Sequence, residues 1–377
     1  MFALQPRRVL IDGHFETGKS VLVRNGLIEG VVATRGCPIE AQAVVLDGDL
    51  IPGFIDLQVN GGGGVLLNDH PTVDGIATIA REHRAFGTTG FLPTIISDDL
   101  TVVARAIAAV DAAIGAGVPG VLGIHIEGPF LNVAKKGIHD ASKFRVLDEA
   151  AINLLSSLKR GRTLVTLAPE RAPPGAIREL VSRGVIVAGG HSAATYEEVT
   201  AALADGLVGF THLFNAMSPL GSREPGMVGA ALDSRSAWCG IIVDGHHVHP
   251  ATLRVALKSI GAERLMLVTD AMPTVGSAEK SFMLRGRRII AEDGRCVAED
   301  GTLAGSDLDM GLAVRNAMRL MRVEIETAVA MATTVPAAAL GLAHLIGAIE
   351  SGRRADLVLL DSDAMVAKVW SAGSIMA

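Results

Sequence analysis

The chain is short of cysteine, of aromatic residues and of positive charge, and each shortage excludes something. Three cysteines in 377 residues, Cys37, Cys239 and Cys296, form no close pair, so neither a disulfide framework nor a cysteine zinc site is expected, and a cytoplasmic setting fits. Phe, Trp and Tyr together make up 3%, too few to stack on exposed bases. Lys plus Arg number 34 against 40 Asp plus Glu, and the net charge of −6 argues against nucleic acid as a partner. The longest uncharged stretch, 327–349, contains Pro336, paired threonines and His344, so it reads as two packed helices and no membrane partner is expected. Pro6, Arg7 and Arg8 interrupt the apolar start, and no export signal is expected.

What is present is a 49% apolar chain with 43 glycines, long enough for two domains or for one large α/β barrel with an appendage. Short strands fill the first fifty residues: RRVLIDG, KSVLVRNGLIEGVV and AQAVVLDGDLI, with Asn25-Gly26 as a hairpin turn. After Pro52, apolar runs alternate with amphipathic stretches: PGFIDLQV, GTTGFLPTII, GVLGIHIEG, RTLVTLAPE, GVIVAGGHS, GFTHLFNAM, AWCGIIVDGHH and RLMLVTDAM. Eight runs that are apolar on both faces predict a (β/α)8 TIM-like barrel with a packed interior and helices outside. Val103, Ile107, Val110 and Ile114 mark one helix, and Leu147, Ala151, Leu154, Leu155 and Leu158 another. Thr195 and Glu198 form a capping box, with Gly206 placed to end that helix. Residues 280–306 read as a β-hairpin insertion near 278–300, with turns at Asp293-Gly294 and Asp300-Gly301, followed by two helices. The strand-like tail is expected to join the N-terminal strands. This gives a small β-sandwich domain from 1–51 plus 347–377 beside a catalytic barrel over 52–346.

Polar residues gather where such a barrel carries its active site, at the C-terminal ends of the apolar runs: Gln58 and Asn60, Glu127, His191, His212 with Asn215, His246 with His247 and His249, and Asp270. One Glu and two His on three strands match a three-ligand metal site with an open fourth position, beside which an Asp supplies a base. Other readings stand next to these. Glu127 fits a buried ion pair, and Asp270 a helix N-cap or turn. His14, His70, His83, His125 and His344 read as structural residues in strands or helices without polar company. The Gly61–Gly64 run lacks the phosphate-loop pattern and reads as a turn.

Seven ordered blocks together resemble the N-acetylglucosamine-6-phosphate deacetylases of the amidohydrolase superfamily: PGFIDLQVNGGGG, HIEGPFLNVAKKGIH, GGHSAATYEE, THLFNAMSPLGSREPGMVGAAL, DGHHVHP, LVTDAM and GTLAGS. The resemblance implies hydrolysis of N-acetyl-D-glucosamine 6-phosphate to D-glucosamine 6-phosphate and acetate. Alternatives are deacetylation of the galactosamine epimer, or a non-catalytic sugar-phosphate binding protein. It implies one divalent metal, zinc first, with iron, cobalt or manganese also compatible, on Glu127, His191 and His212. Asp270 would take and return the proton, and His247 would polarise the acetamide or reach the phosphate. His139 and Leu303 would contact the sugar, while Asn215, Ala216 and Arg223 would bind the 6-phosphate, Arg223 coming from the other subunit of a homodimer. Arg223 also fits a surface pair with Glu224. Most amidohydrolases carry His-x-His where this chain has Gln58 and Asn60, so a single metal is expected, with the two amides hydrogen-bonding around it.

Overall fold

In the computed structural model, which describes residues 1–376, the eight apolar runs form one parallel sheet. The strands are β1 (Phe54–Val59), β2 (Thr88–Ile96), β3 (Gly123–Glu127), β4 (Arg162–Leu167), β5 (Ile186–Gly189), β6 (Gly209–Phe210), β7 (Trp238–Ile241) and β8 (Leu265–Leu267), paired in chain order. A parallel bridge from Val59 to Ala271 closes β1 onto the segment after β8, and the N–H groups of Asn60 and Gly61 both donate to the Ala271 carbonyl. Every residue of β1, β2 and β3 is buried, because side chains on one face fill the barrel while those on the other meet helices. Ile55, Ile95, Ile124 and Val187 are all 1% exposed or less, and each such burial contributes about 1.5–3 kcal/mol.

Outside the barrel, the helix Leu100–Gly115 buries Val103, Ile107 and Val110 as their spacing requires, with Ile114 packed half-buried beside them. The helix Glu149–Leu155 is shorter than its apolar stripe. Asp148 caps it by accepting from Ala151 N–H, so Leu147 packs ahead of the helix and Leu158 after it. Both halves of the capping box at Thr195 and Glu198 form, and Gly206 follows the helix Tyr196–Ala204 with φ 104°.

The chain termini build two further sheets over one apolar cluster that includes Leu4, Val21, Ile28, Leu357 and Trp370. One contains Phe2–Gln5, Lys19–Arg24, Leu27–Ala33 and Gln42–Val45; in the other, Asp49–Pro52 pairs antiparallel with Leu357–Leu360, joining N-terminal to C-terminal chain. Asn25 and Gly26 turn with φ 52° and 81°, both left-handed as a tight hairpin demands. Residues 281–306 form a four-stranded antiparallel meander, Ser281–Leu284, Arg287–Glu292, Arg295–Ala298 and Leu303–Ser306. Its additional turn, Arg285-Gly286, goes unmarked in the sequence because Arg285 adopts φ 50° without the usual Asn or Asp. Three short α-helices follow it where two are expected. Among the described residues, no helix is long and apolar enough to cross a membrane.

Candidate metal centre and substrate pocket

The C-terminal strand ends open into a cavity of about 490 Å³. Lining it are Asn60, Glu127, His139, His191, His212, Asn215, Ala216, His247, Asp270 and Leu303. Gln58 lies just beneath, donating to Glu127 Oε2 at 3.2 Å and to Asp270 Oδ1 at 3.1 Å. Asn60 Nδ2 donates to the same Oδ1 at 2.7 Å. The two amides that stand where His-x-His is usual therefore point their N–H groups at carboxylates. Backbone strain concentrates here too: His191, His212, Phe214, Ala216 and Asp270 have φ of 49°, 33°, 79°, 50° and 52°. Non-glycine residues hold such angles when the surroundings dictate a side-chain direction, as functional sites do.

Three donor atoms converge. Glu127 Oε1 lies 2.9 Å from His212 Nε2 and 3.2 Å from His191 Nε2, and the two imidazole nitrogens are 3.0 Å apart. His191 Nδ1 sits 2.8 Å from the Lys135 carbonyl, which only accepts, so in the neutral ring Nδ1 carries the proton. The Nε2 lone pair then faces a carboxylate, an arrangement that repels unless a cation lies between them. Chemistry and geometry therefore both fit a divalent ion, and Glu, His and His are suitable donors for one. Glu127 is 2% exposed; burial pushes its carboxyl up, but imidazoles that are protonated and donate to it in the metal-free protein outweigh this and hold it well below its usual range. Desolvation and the Glu127 charge push Asp270 up to about 6.

His139 also approaches Glu127 and His191, with one ligand atom of each within 4.8 Å of the others. Its Nδ1, however, accepts from the Ser97 amide at 3.3 Å and pairs with Ser97 Oγ at 2.7 Å. The proton thus sits on Nε2, which makes His139 a donor toward the pocket rather than a metal ligand. His247 Nδ1 is 2.5 Å from the buried Asp244 Oδ2. His246 and His249 serve elsewhere: His246 reaches the Asp293 carbonyl at 2.8 Å, and His249 caps the helix Pro250–Ile260. Arg223 is exposed and does not line the cavity; Glu224 bonds the amides of Tyr196 and Gly226, and no Arg223–Glu224 ion pair forms among the described residues. Asp270 caps no helix.

Of the five structural histidines, two have polar partners after all. His83 Nε2 donates to the Gly61 carbonyl at 2.8 Å. His125 meets Thr166 Oγ1 at 2.8 Å, and burial pushes it down to about 4. His70 and His344 lie exposed in loops, not in regular elements. Sequence reasoning missed Asp244, Ser97, Asp56 and Glu170. Glu170 accepts from Ser192 Oγ, Ala193 N–H and Asn132 Nδ2, fixing the loop that follows His191. Asp56 accepts from Thr269 Oγ1 at 2.5 Å and from Gln58 N–H, tying β1 to the end of β8, and burial pushes it up to about 7. For Asp244, the D-G-H-H spacing offered a signal, an Asx-type turn aimed at His247.

A family model described as the amidohydrolase family matches residues 50–376. N-acetylgalactosamine-6-phosphate deacetylase of Shewanella sp. (strain ANA-3) is 43% identical, covering 98% of this chain and 94% of its own. N-acetylglucosamine-6-phosphate deacetylase of Vibrio furnissii is 36% identical, covering 98% and 94%. The crystal structure of N-acetylglucosamine-6-phosphate deacetylase from Pasteurella multocida superposes with a TM-score of 0.95 at 33% identity, covering 99% of each chain.

Proposed function

The chain belongs to the amidohydrolase family, and from that premise we propose that it hydrolyses the acetamide of N-acetyl-D-glucosamine 6-phosphate to D-glucosamine 6-phosphate and acetate. The observation that carries this reading is the convergence of Glu127, His191 and His212 within 3.2 Å, with Asp270 beside them in the pocket wall. It is supported by relatives and a solved structure of that activity aligned over almost the whole chain. When bound, one divalent ion, zinc first and Fe2+, Co2+ or Mn2+ also compatible, supplies a Lewis acid for the amide carbonyl and a nucleophile at neutral pH.

The chain's own residues do the rest. Asn60 and Gln58 hold Asp270 by Oδ1, which leaves Oδ2 to take the proton of the attacking water and return it to the leaving amine. Their N–H groups occupy the space of a second metal's ligands, which supports a single-metal site. His247, fixed by Asp244, faces the acetamide carbonyl or the phosphate. His139 donates through Nε2 to the sugar, against Leu303. Asn215 and Ala216 receive the phosphate.

Among the described residues Lys135 is the basic side chain in the pocket wall, and no arginine joins it there. The exposed Arg223 suits a planar, two-point phosphate contact in the site of a second copy, so we place the enzyme as a homodimer. An apolar groove of about 320 Å³ supports this: Phe214, Met217, Leu220 and Val255 line it, with Leu220 and Val255 58% and 53% exposed. A charged sugar phosphate does not cross membranes, which with three unpaired cysteines supports a cytoplasmic setting. We also read the terminal sheets, 1–51 plus 347–377, as a domain separate from the barrel over 52–346.

The 43% relative favours a second reading, the galactosamine epimer. Free-amine release from both phosphorylated epimers, run beside the unphosphorylated sugars, separates the readings. Release from the glucosamine compound supports the first. Release confined to the galactosamine compound replaces it, and no release from any sugar leaves a binding protein.

A further inference from the structure

Beneath the three-ligand cluster, inside the barrel, lies a second cavity of about 10 Å³. Gln58, His125, Thr211, His212 and Trp238 contribute to its wall among apolar neighbours. Two of these lining residues each carry a buried nitrogen with no protein partner, His212 Nδ1 and Trp238 Nε1. An indole N–H only donates. Since His212 Nε2 is turned toward Glu127 and His191, the face that suits the ion, the neutral ring carries its proton on Nδ1 and donates there as well. Two residues with an unused donor thus border one small space.

A threonine relay supplies an acceptor. Thr94 Oγ1 accepts from Val59 N–H at 2.9 Å and donates to the Leu92 carbonyl at 3.1 Å, so His125 Nδ1, 3.4 Å away, is the donor to it. His125 Nε2 accepts from the Thr166 hydroxyl at 2.8 Å, and Thr166 Oγ1 in turn accepts from Thr211 at 2.6 Å. The Thr211 proton is therefore committed, and its oxygen accepts.

We propose that one water molecule sits in this cavity, accepting from His212 Nδ1 and Trp238 Nε1 and donating to Thr211 Oγ1, and that Trp238 is a positioning residue for the ligand face of His212. The size suits one water, and three partners meet its needs. Metal-binding imidazoles are oriented by a partner on the second nitrogen. For His191 that partner is the Lys135 carbonyl; for His212 it is the water held by Trp238. The indole is built into the floor: Gly209 lies opposite Trp238 in register, and a Cβ at Gly209 would fall 2.2 Å from the indole Cε2.

This inference rests on the metal-centre reading above, and its test separates the two. Trp238→Phe keeps an aromatic side chain, though a smaller one, and removes the N–H. Zinc affinity, measured by competition with a chromophoric chelator, is expected to fall about 10–100-fold in that variant. Trp238 and Trp370 are the two tryptophans of the chain, and Trp370 lies in the terminal sheet, so indole 15N–1H spectra resolve the two N–H groups. Zinc added to the unmodified protein should move the Trp238 signal and leave Trp370 in place. Equal zinc affinity in both proteins, or two unmoved signals, overturns the proposal. An unmodified protein that binds no zinc overturns the metal-centre reading instead. Should the variant fail to fold, the spectrum of the unmodified protein decides alone.

Discussion

The two ends of the main pocket are built in different ways. At the end assigned to the chemistry, Glu127, His191 and Asp270 are each held by a second group of the same chain: Gln58, the Lys135 carbonyl and Asn60. At the end assigned to the phosphate, Asn215, Ala216 and His247 line the wall, but Arg223 is exposed and outside the lining. Acid–base chemistry needs a desolvated, fixed environment to set proton affinities, and a single barrel provides that. Anchoring a phosphate needs a cation, which a neighbouring copy can bring. On the proposed reading one chain supplies the reacting groups, and Arg223 of a second copy adds to Lys135, the basic side chain already in the pocket wall.

Four perturbations test that contrast, beginning with the most severe. Chelation should abolish amine release and added zinc restore it, whereas the phosphate end predicts no such dependence; activity that survives exhaustive chelation removes the metal from the account. Asp270→Asn should lower kcat about 10²–10⁴-fold with little change in KM. Unchanged turnover would take the proton transfer away from Asp270. Arg223→Ala should act at the other end, raising KM for the phosphorylated sugar about 10–100-fold while sparing the unphosphorylated one. An equal effect on both sugars would remove the phosphate role.

The mildest effect belongs to Asp56, below the reacting groups. Burial raises its carboxyl to about 7, so its stabilising protonated form is fully present below the unfolded value near 4 and is lost as pH rises through 7. In the metal-free protein, Tm should fall by a few degrees over that window. Asp56→Asn should flatten that decline, and an unchanged slope would assign it to other groups.

Both ends were only partly legible in the sequence. Glu127, His191 and His212 stood out because each interrupts an apolar strand, where a lone polar group is costly. The barrel was legible for the same reason, since continuous apolar runs leave few alternatives. Groups whose partners are distant in sequence were not: Asp56 meets Thr269 across 213 residues, and Ser97 meets His139 across 42. Trp238 carried no signal either, because its meaning depends on Gly209 across the sheet. Arg223 was legible as a phosphate residue only through family resemblance, and its exposure alone would have suggested a solvated surface.

Mixing subunits tests the division of labour directly. Asp270→Asn and Arg223→Ala proteins, each nearly inactive at low substrate concentration, are unfolded together in equal amounts and refolded with zinc. If each pocket draws its base from one chain and its arginine from the other, random pairing leaves one intact site in every mixed dimer, and roughly a quarter of the unmodified activity returns. Activity no higher than the average of the two parent proteins would contradict the account, because each pocket would then be served by a single chain.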